Sequence, residues 1–189
     1  SAVTMTAESL GGRLVDLSMG TLTLDERNDR PSADLLATLL TDVEALRGWR
    51  PPTPLTRTEL LEEAIRGGFP LVDGVPDDMR RRLHDSWVRA SVLVDAAAVG
   101  GVRDTEALLQ LLRRYAAATS AVRPKDAPTA DLLDVARPTV AAYRSLLGDL
   151  HVTWELPSFR PGNATGQVIR SPKQHLVDSG LAAFLSGRD

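Results

Sequence analysis

The order of patterns across residues 137–185 constrains the fold more than any other feature of this chain. Pro138 stands where a helix would begin, a position at which its missing N–H leaves no hydrogen bond unmade. Apolar residues then recur at helical spacing, which predicts one buried face. That face carries Val140, Tyr143, Leu146, Leu147 and Leu150. Residues 151–156 and 167–170 are predicted to be two strands, with residues 159–166 as the loop between them.

A helix, a strand, a loop, a second strand and a closing helix follow one another in the order typical of a winged helix-turn-helix. The predicted fold class is therefore mainly α with a small antiparallel β wing, in which a helical segment leads into a winged helix-turn-helix. We expect an N-terminal tail and linker at residues 1–31, the helical segment at 32–122 and the winged helix at 123–189. The Pro- and charge-rich joint at residues 123–128 marks the boundary between the last two.

The N-terminal part of the chain begins with alternating side chains and continues with helical spacing. Residues 14–24 alternate apolar and polar side chains, which predicts a strand, and residues 25–31 form a polar linker. Ser32 can cap a helix. The apolar face of that helix consists of Leu35, Leu36, Leu39, Leu40, Val43 and Leu46. Residues 56–59 (Thr-Arg-Thr-Glu) form a capping box before another helix, and the glycine pair at 67–68 ends it.

Two longer helices are predicted in the middle of the chain. Pro76 opens the first, and the glycine pair at residues 100–101 ends it. Its predicted buried stripe consists of Met79, Leu83, Trp87, Ala90 and Val94. Asp104 caps the second helix. The buried face of this second helix consists of Leu108, Leu111, Leu112 and Tyr115. A short helix is predicted at residues 131–134.

The composition excludes several classes of protein. The 189 residues contain no cysteine, which rules out disulfide scaffolds and thiolate metal sites. No apolar run approaches the roughly 18 residues that span a bilayer, and no signal peptide opens the sequence, so we expect a cytoplasmic protein with no membrane partner. The three histidines, His84, His151 and His175, are too scattered for a metal motif. For want of a nucleophile, base or metal cluster, the chain is predicted not to be an enzyme.

A polar face on the helix after Pro138 is the candidate nucleic-acid interface. Arg137 and Arg144 flank small residues, which would let a phosphate approach. The predicted nucleic-acid-binding residues are Arg137, Thr139, Arg144, Arg160, Arg170 and Lys173. Residues 121–189 hold eight basic and seven acidic side chains, although the whole chain has a net charge of −3. A solvated helix face, or a surface that binds protein, is the alternative interpretation of the same residues.

Several motifs run through nearly the whole chain. In the C-terminal part they are residues 137–140 (Arg-Pro-Thr-Val), Tyr143, residues 146–147 (Leu-Leu), 156–157 (Leu-Pro), Asn163, 170–173 (Arg-Ser-Pro-Lys) and 177–181 (Val-Asp-Ser-Gly-Leu). In the N-terminal part they are residues 9–13 (Ser-Leu-Gly-Gly-Arg), 22–26 (Leu-Thr-Leu-Asp-Glu) and 66–70 (Arg-Gly-Gly-Phe-Pro). Together they resemble a prokaryotic family of AAA-type ATPases, in the uncharacterised domain that follows the ATPase core. Three positions depart from that family: residues 166–167 (Gly-Gln) replace two basic residues, and Asp134 replaces a glycine.

The resemblance implies an order of ATPase core, helical segment, winged helix and PD-(D/E)xK nuclease-like domain. This chain, which begins with Ser1 rather than methionine, would start in the tail of the core and stop before the nuclease-like domain. Neither Lys125 nor Lys173 stands in a phosphate-binding loop or a nuclease motif. ATP and Mg²⁺ are therefore implied only for a larger parent protein, and no cofactor is expected in this chain.

Two functions are open on these residues. The first is a non-catalytic recognition or regulatory region of a larger ATPase whose winged helix contacts duplex DNA, and the local charge balance favours it. The second is a protein-interaction or interdomain coupling module that binds no nucleic acid, with the parent's own ATPase and C-terminal domains as partners. The acidic total charge and the lack of basic residues at 166–167 favour the second.

Overall fold

The fold is mainly helical with a small antiparallel sheet, as the sequence predicts. It is that of a computed structural model that describes residues 19–29, 35–42, 44–48, 54–100, 102–159 and 171–188. The nine α-helices of these residues are α1 (Leu24–Arg27), α2 (Leu35–Thr41), α3 (Arg57–Arg66), α4 (Asp77–Trp87), α5 (Asp95–Gly100), α6 (Thr105–Ala117), α7 (Asp126–Leu133), α8 (Arg137–Asp149) and α9 (Ser179–Ser186). A π-helical stretch, Val88–Val94, joins α4 to α5, and two 3-10 turns cover Glu44–Gly48 and Pro70–Val72.

The described N-terminal residues do not form the predicted strand. Residues 19–23 have no regular structure, and Leu24 begins the one-turn helix α1, so the predicted linker at 25–31 is helical at its start. A capping box causes this, because the Thr23 hydroxyl accepts from the Glu26 N–H at 3.2 Å and Glu26 Oε2 accepts from the Thr23 N–H at 2.7 Å. Residues 14–18 and 30–31 lie outside the described residues.

The predicted leucine-rich helix forms as α2, but two of the leucines on its predicted buried face are exposed. Leu39 is 46% exposed and Leu40 is 77% exposed. The prediction that this face is buried is therefore wrong for these two leucines. Helical periodicity identifies an apolar face but not the surface that covers it. Ser32 and Val43, which the prediction also used, lie outside the described residues.

The glycine pair and caps around α3 and α6 are confirmed. Thr56 and Glu59 form a capping box, and Gly67 ends α3 with a positive φ of 73°. The Asp104 carboxylate accepts from the Ala107 N–H at 2.8 Å and begins α6, whose Leu108, Leu111 and Tyr115 are fully buried.

The predicted stripe of α4 is only partly right, because Leu83 and Trp87 are half-buried whereas Ala90 is exposed. Met79 and Val94 are exposed. The buried side chains of this continuous helix are instead Arg80, His84, Val88, Val92 and Ala96. Their spacing of four residues, longer than the α-helical period of about 3.6, fits the wider turns of the π-helical stretch. The prediction excluded Arg80 and His84 because polar residues usually mark the solvent side of a helix.

The helices of the last third pack as predicted around one face of α8. Val140, Tyr143, Leu146 and Leu147 are buried, and Leu150 is half-buried. The short helix before it is longer than expected, since α7 begins at Asp126 rather than near residue 131. Pro128 lies in its first turn, where a proline is tolerated. Asp134 ends α7 in the left-handed conformation, with φ 51°.

Three strands form the sheet, in the order β1–β3–β2 with both pairs antiparallel. They are β1 (Ala121–Val122), β2 (Thr153–Leu156) and β3 (Lys173–Leu176). The predicted second strand at residues 167–170 lies outside the described residues, and the strand that pairs with β2 is Lys173–Leu176, which was not predicted. Thr153, Gln174 and Leu176 point to the core, whereas Trp154 and Leu156 point away from it.

One buried core joins the two predicted halves of the molecule. It includes Val88 and Leu108 from the helical segment together with Leu147, Leu181 and Leu185 from the last third. Helix α9 packs on both α6 and α3. The C-terminal helix is therefore placed against residues that precede it by more than a hundred positions, and this contact positions the site described below.

Candidate functional site

The predicted DNA-contacting face lies along α8, and its two arginines have different surroundings. Arg137 is the first residue of the helix, is exposed, and has no ion pair with any described residue. Thr139 is half-buried, and its N–H donates to the Ala136 carbonyl at 2.8 Å. Arg144 lies two turns further on but turns toward α7 and β2 rather than to solvent.

Arg144 belongs to a cluster of four alternating charges. Its Nη1 lies 2.5 Å from Asp126 Oδ1, and its Nε lies 3.7 Å from Glu155 Oε1. Arg123 contacts the same two carboxylates, at 3.1 Å from Asp126 and 3.2 Å from Glu155. Two arginines and two carboxylates sum to zero, so this charge cluster has no net attraction for a phosphate.

Burial and hydrogen bonding shift the pKa values of Arg144 and of the neighbouring Tyr115. Burial works to lower the pKa of Arg144, but the hydrogen bond and the charge of Asp126 outweigh it and raise that pKa above its ordinary value. Burial also raises the pKa of the Tyr115 hydroxyl, which lies near the same charges. The Arg144 guanidinium therefore stays charged, and its ion pairs join α8 to α7 and β2.

The remaining predicted contacts are dispersed. Lys173 is exposed at the start of β3, on the side of the sheet away from the core. Arg160 and Arg170 lie outside the described residues. Of the six predicted residues, the structure thus presents Arg137 and Lys173 as exposed cations, and it pairs Arg144 with carboxylates.

A second site, which the sequence analysis did not identify, lies where residues 19–29 cross the chain. We call these residues the strap. The Leu22 N–H donates to the Gly68 carbonyl at 2.7 Å, and the Thr21 hydroxyl donates to the Val177 carbonyl at 3.4 Å. A side chain at Gly68 would overlap the Leu22 carbonyl oxygen, so the strap passes here only because residue 68 is glycine.

Arg27 fixes the end of the strap. Its side chain is only 7% exposed and lies 2.8 Å from Glu63 Oε2 and 3.2 Å from Asp73 Oδ1. Arg27 Nη1 also donates to the Gly67 carbonyl at 2.9 Å. One guanidinium thus contacts two carboxylates and one carbonyl around the C-terminal end of α3, a geometry to which the planar fork of arginine is suited.

Asp178 joins the same end of α3 to α9. Its carboxylate is 3% exposed and accepts from the Gly68 N–H at 2.6 Å and from the Leu181 N–H at 2.8 Å. It is also the N-cap of α9. We call the meeting point of the strap, the end of α3 and the start of α9 the joint. A cleft of about 360 Å³ lies at the joint, between Leu24, Glu63, Gly67 and Ser179.

Within the described ranges, histidines and carboxylates form no group of three or more that could hold a metal ion. In the same part of the chain, no helix has the length and apolar character to cross a bilayer. The polar groups of the joint make hydrogen bonds that hold separate segments of the chain together.

The comparisons with known proteins add one finding. A family model described as a domain of unknown function (DUF8612) matches residues 57–189. No curated protein and no solved structure matches the chain. The matched range begins at the first residue of α3 and includes α9, whereas the strap precedes it. The joint therefore lies where the matched domain meets the residues before it.

Proposed function

The chain belongs to the DUF8612 family, and we propose that it is a non-catalytic coupling region of a larger AAA-type ATPase, which relays changes between neighbouring domains by protein contacts. The observation that carries this proposal is the burial of Arg27 against Glu63, Asp73 and the Gly67 carbonyl. By the resemblance drawn from the sequence, the strap is the tail of the ATPase core. Its attachment to the matched domain is then the connection between the core and everything that follows.

The path of the coupling is short. The strap contacts Gly68 at the end of α3, and the Gly68 N–H donates to the Asp178 carboxylate. Asp178 in turn caps α9. A movement of the strap must displace Gly67 or Gly68, because a buried arginine cannot lose its acceptors without a large cost in free energy. That displacement reaches α9, which packs on the central helix α6. The proposal thus joins the predicted core tail to the last helix of the chain.

A second function, duplex DNA contact through α8, is favoured by two exposed cations. Arg137 has no carboxylate partner among the described residues, and Lys173 is exposed on the sheet. The elements from α6 to β3 follow one another in the order helix, strand, helix, helix, strand, strand. This order supports the winged-helix interpretation. The winged-helix identity stays a prediction, as does the DNA contact.

A titration with duplex DNA separates the two functions. We expect no saturable rise in the fluorescence anisotropy of a labelled duplex at tens of micromolar protein in low salt, because Arg144 is neutralised by Asp126 and Glu155 and the chain is acidic overall. Binding that Arg137→Glu abolishes and the matched exposed variant Arg57→Glu leaves intact would overturn the proposal in favour of DNA.

A further inference from the structure

Residues 35–42 and 44–48, which we call the arm, expose two leucine side chains on α2. Leu39 is 46% and Leu40 is 77% exposed, and the 3-10 turn of the arm covers Glu44–Gly48. An apolar helix face in water is normally covered by another layer of structure. The exposed charges of the arm are Asp42, Glu44 and Arg47, so its net charge is −1.

The outer face of the sheet is the second uncovered apolar surface. Directly paired residues share a face, so Val122, Lys173 and Leu156 form one row and His175 and Trp154 form the next. Val122, Trp154 and Leu156 are all exposed. The Trp154 ring stacks on His175 at 4.3 Å and leaves the rest of its surface open. We call these five residues the outer sheet face.

The charges of the two surfaces are complementary. Lys173 is the one lysine or arginine of the outer sheet face, and none of its five residues is acidic. Glu155, between Trp154 and Leu156, is turned to the other face by Arg123 and Arg144. Two outer sheet faces in contact would bring Lys173 close to its own copy, which is unfavourable. The acidic arm has both the apolar residues and the sign of charge that this face requires.

We propose that the arm of one copy of this chain covers the outer sheet face of a second copy, and that the reciprocal contact closes a homodimer. Both surfaces are exposed within one chain and complement each other in charge and apolar character, so a second copy supplies the surface that each lacks. Because each copy supplies one arm and one face, two identical contacts form about a two-fold axis and leave no free surface of either kind. This inference is independent of the coupling function.

Sedimentation equilibrium of the whole chain tests the dimer. We expect a rise from the mass of one chain to the mass of two over the micromolar range. Leu40→Glu in the arm and Leu156→Glu on the face should each raise the dissociation constant at least about tenfold, because each places a carboxylate in the apolar contact. Leu132→Glu is the matched control, since Leu132 is an exposed leucine on α7 outside both surfaces, and it should leave the dimer unchanged.

Mixing the two variants gives a result specific to arm exchange. In a mixture, the intact arm of Leu156→Glu meets the intact face of Leu40→Glu, so one good contact forms and a mixed dimer should appear at concentrations where each variant alone is monomeric. A wild-type chain that stays monomeric, a dimer indifferent to both variants, or a mixture that gives no dimer would each overturn the inference. Quenching of Trp154 fluorescence by a single-stranded oligonucleotide, with the protein monomeric, would assign the face to nucleic acid instead.

Discussion

Asp178→Ala is expected to lower the free energy of unfolding by about 3 kcal/mol. The substitution removes the N-cap of α9 and leaves the Gly68 N–H, which lies in a buried position, without an acceptor. A lost cap and a buried, unpaired donor are separate costs, and here they fall on one residue. Urea unfolding followed by circular dichroism measures the change as a shift of the midpoint with an unchanged slope.

Asp104→Ala is the matched control for this cap. Asp104 is the N-cap of α6, and its carboxylate accepts only from the Ala107 N–H at 2.8 Å. Its side chain lies at an exposed position and does not bridge distant segments. We expect a loss of about 1 kcal/mol, the usual value for a single cap. Equal losses for the two variants would show that the bond from Asp178 to Gly68 contributes nothing.

Gly180→Ala is expected to destabilise the protein by about 1–3 kcal/mol, although alanine is normally the better helix residue. A Cβ at Gly180 would lie 2.6 Å from the Arg66 carbonyl oxygen and 2.8 Å from that of Ile65. Both are backbone atoms at the end of α3, so no side chain can rotate away. The added methyl group must push α9 off α3, and thermal unfolding should show a lower midpoint.

Gly148→Ala, the same substitution at another glycine, is expected to change the stability in the opposite direction. Gly148 is exposed near the end of α8, and a Cβ there would meet nothing within 4 Å. The change should stabilise the protein by about 0.5–1 kcal/mol through helix propensity alone. If Gly180→Ala were as stabilising as Gly148→Ala, α9 would not pack as closely on α3 as the structure places it.

Local signals in the sequence were sufficient for much of the fold. The capping box at Thr56, the N-cap at Asp104 and the apolar face of α8 each depend on residues within a few positions of one another. Such contacts can be predicted because helical geometry fixes which neighbours meet. Strand β1 could not be predicted, because its two residues are both exposed and show no alternation of buried and exposed side chains.

The joint could not be predicted because its partners are distant in sequence. Arg27 contacts residues 36 to 46 positions away, and Gly68 bonds to Asp178 across 110 positions. No periodicity encodes such pairs. The glycine pair at residues 67–68 gave a signal, but it was interpreted as a helix end, and only the structure adds that Gly68 must also admit the strap. The environment of Arg144 could not be predicted for the same reason, because its partners Asp126 and Glu155 are not its neighbours along the helix.

The measurement that tests the coupling most directly is native-state hydrogen exchange of Arg27→Gln. The account predicts faster exchange not only in the strap but also at the Gly68 and Leu181 amides, both of which donate to Asp178. Arg66→Gln is the control, because Arg66 contacts the same Glu63 at 3.3 Å but is 44% exposed and has no ion pair with the strap. It should leave the Gly68 and Leu181 amides protected. Faster exchange confined to residues 19–29, with Gly68 and Leu181 as slow as in the unmodified chain, would contradict the account.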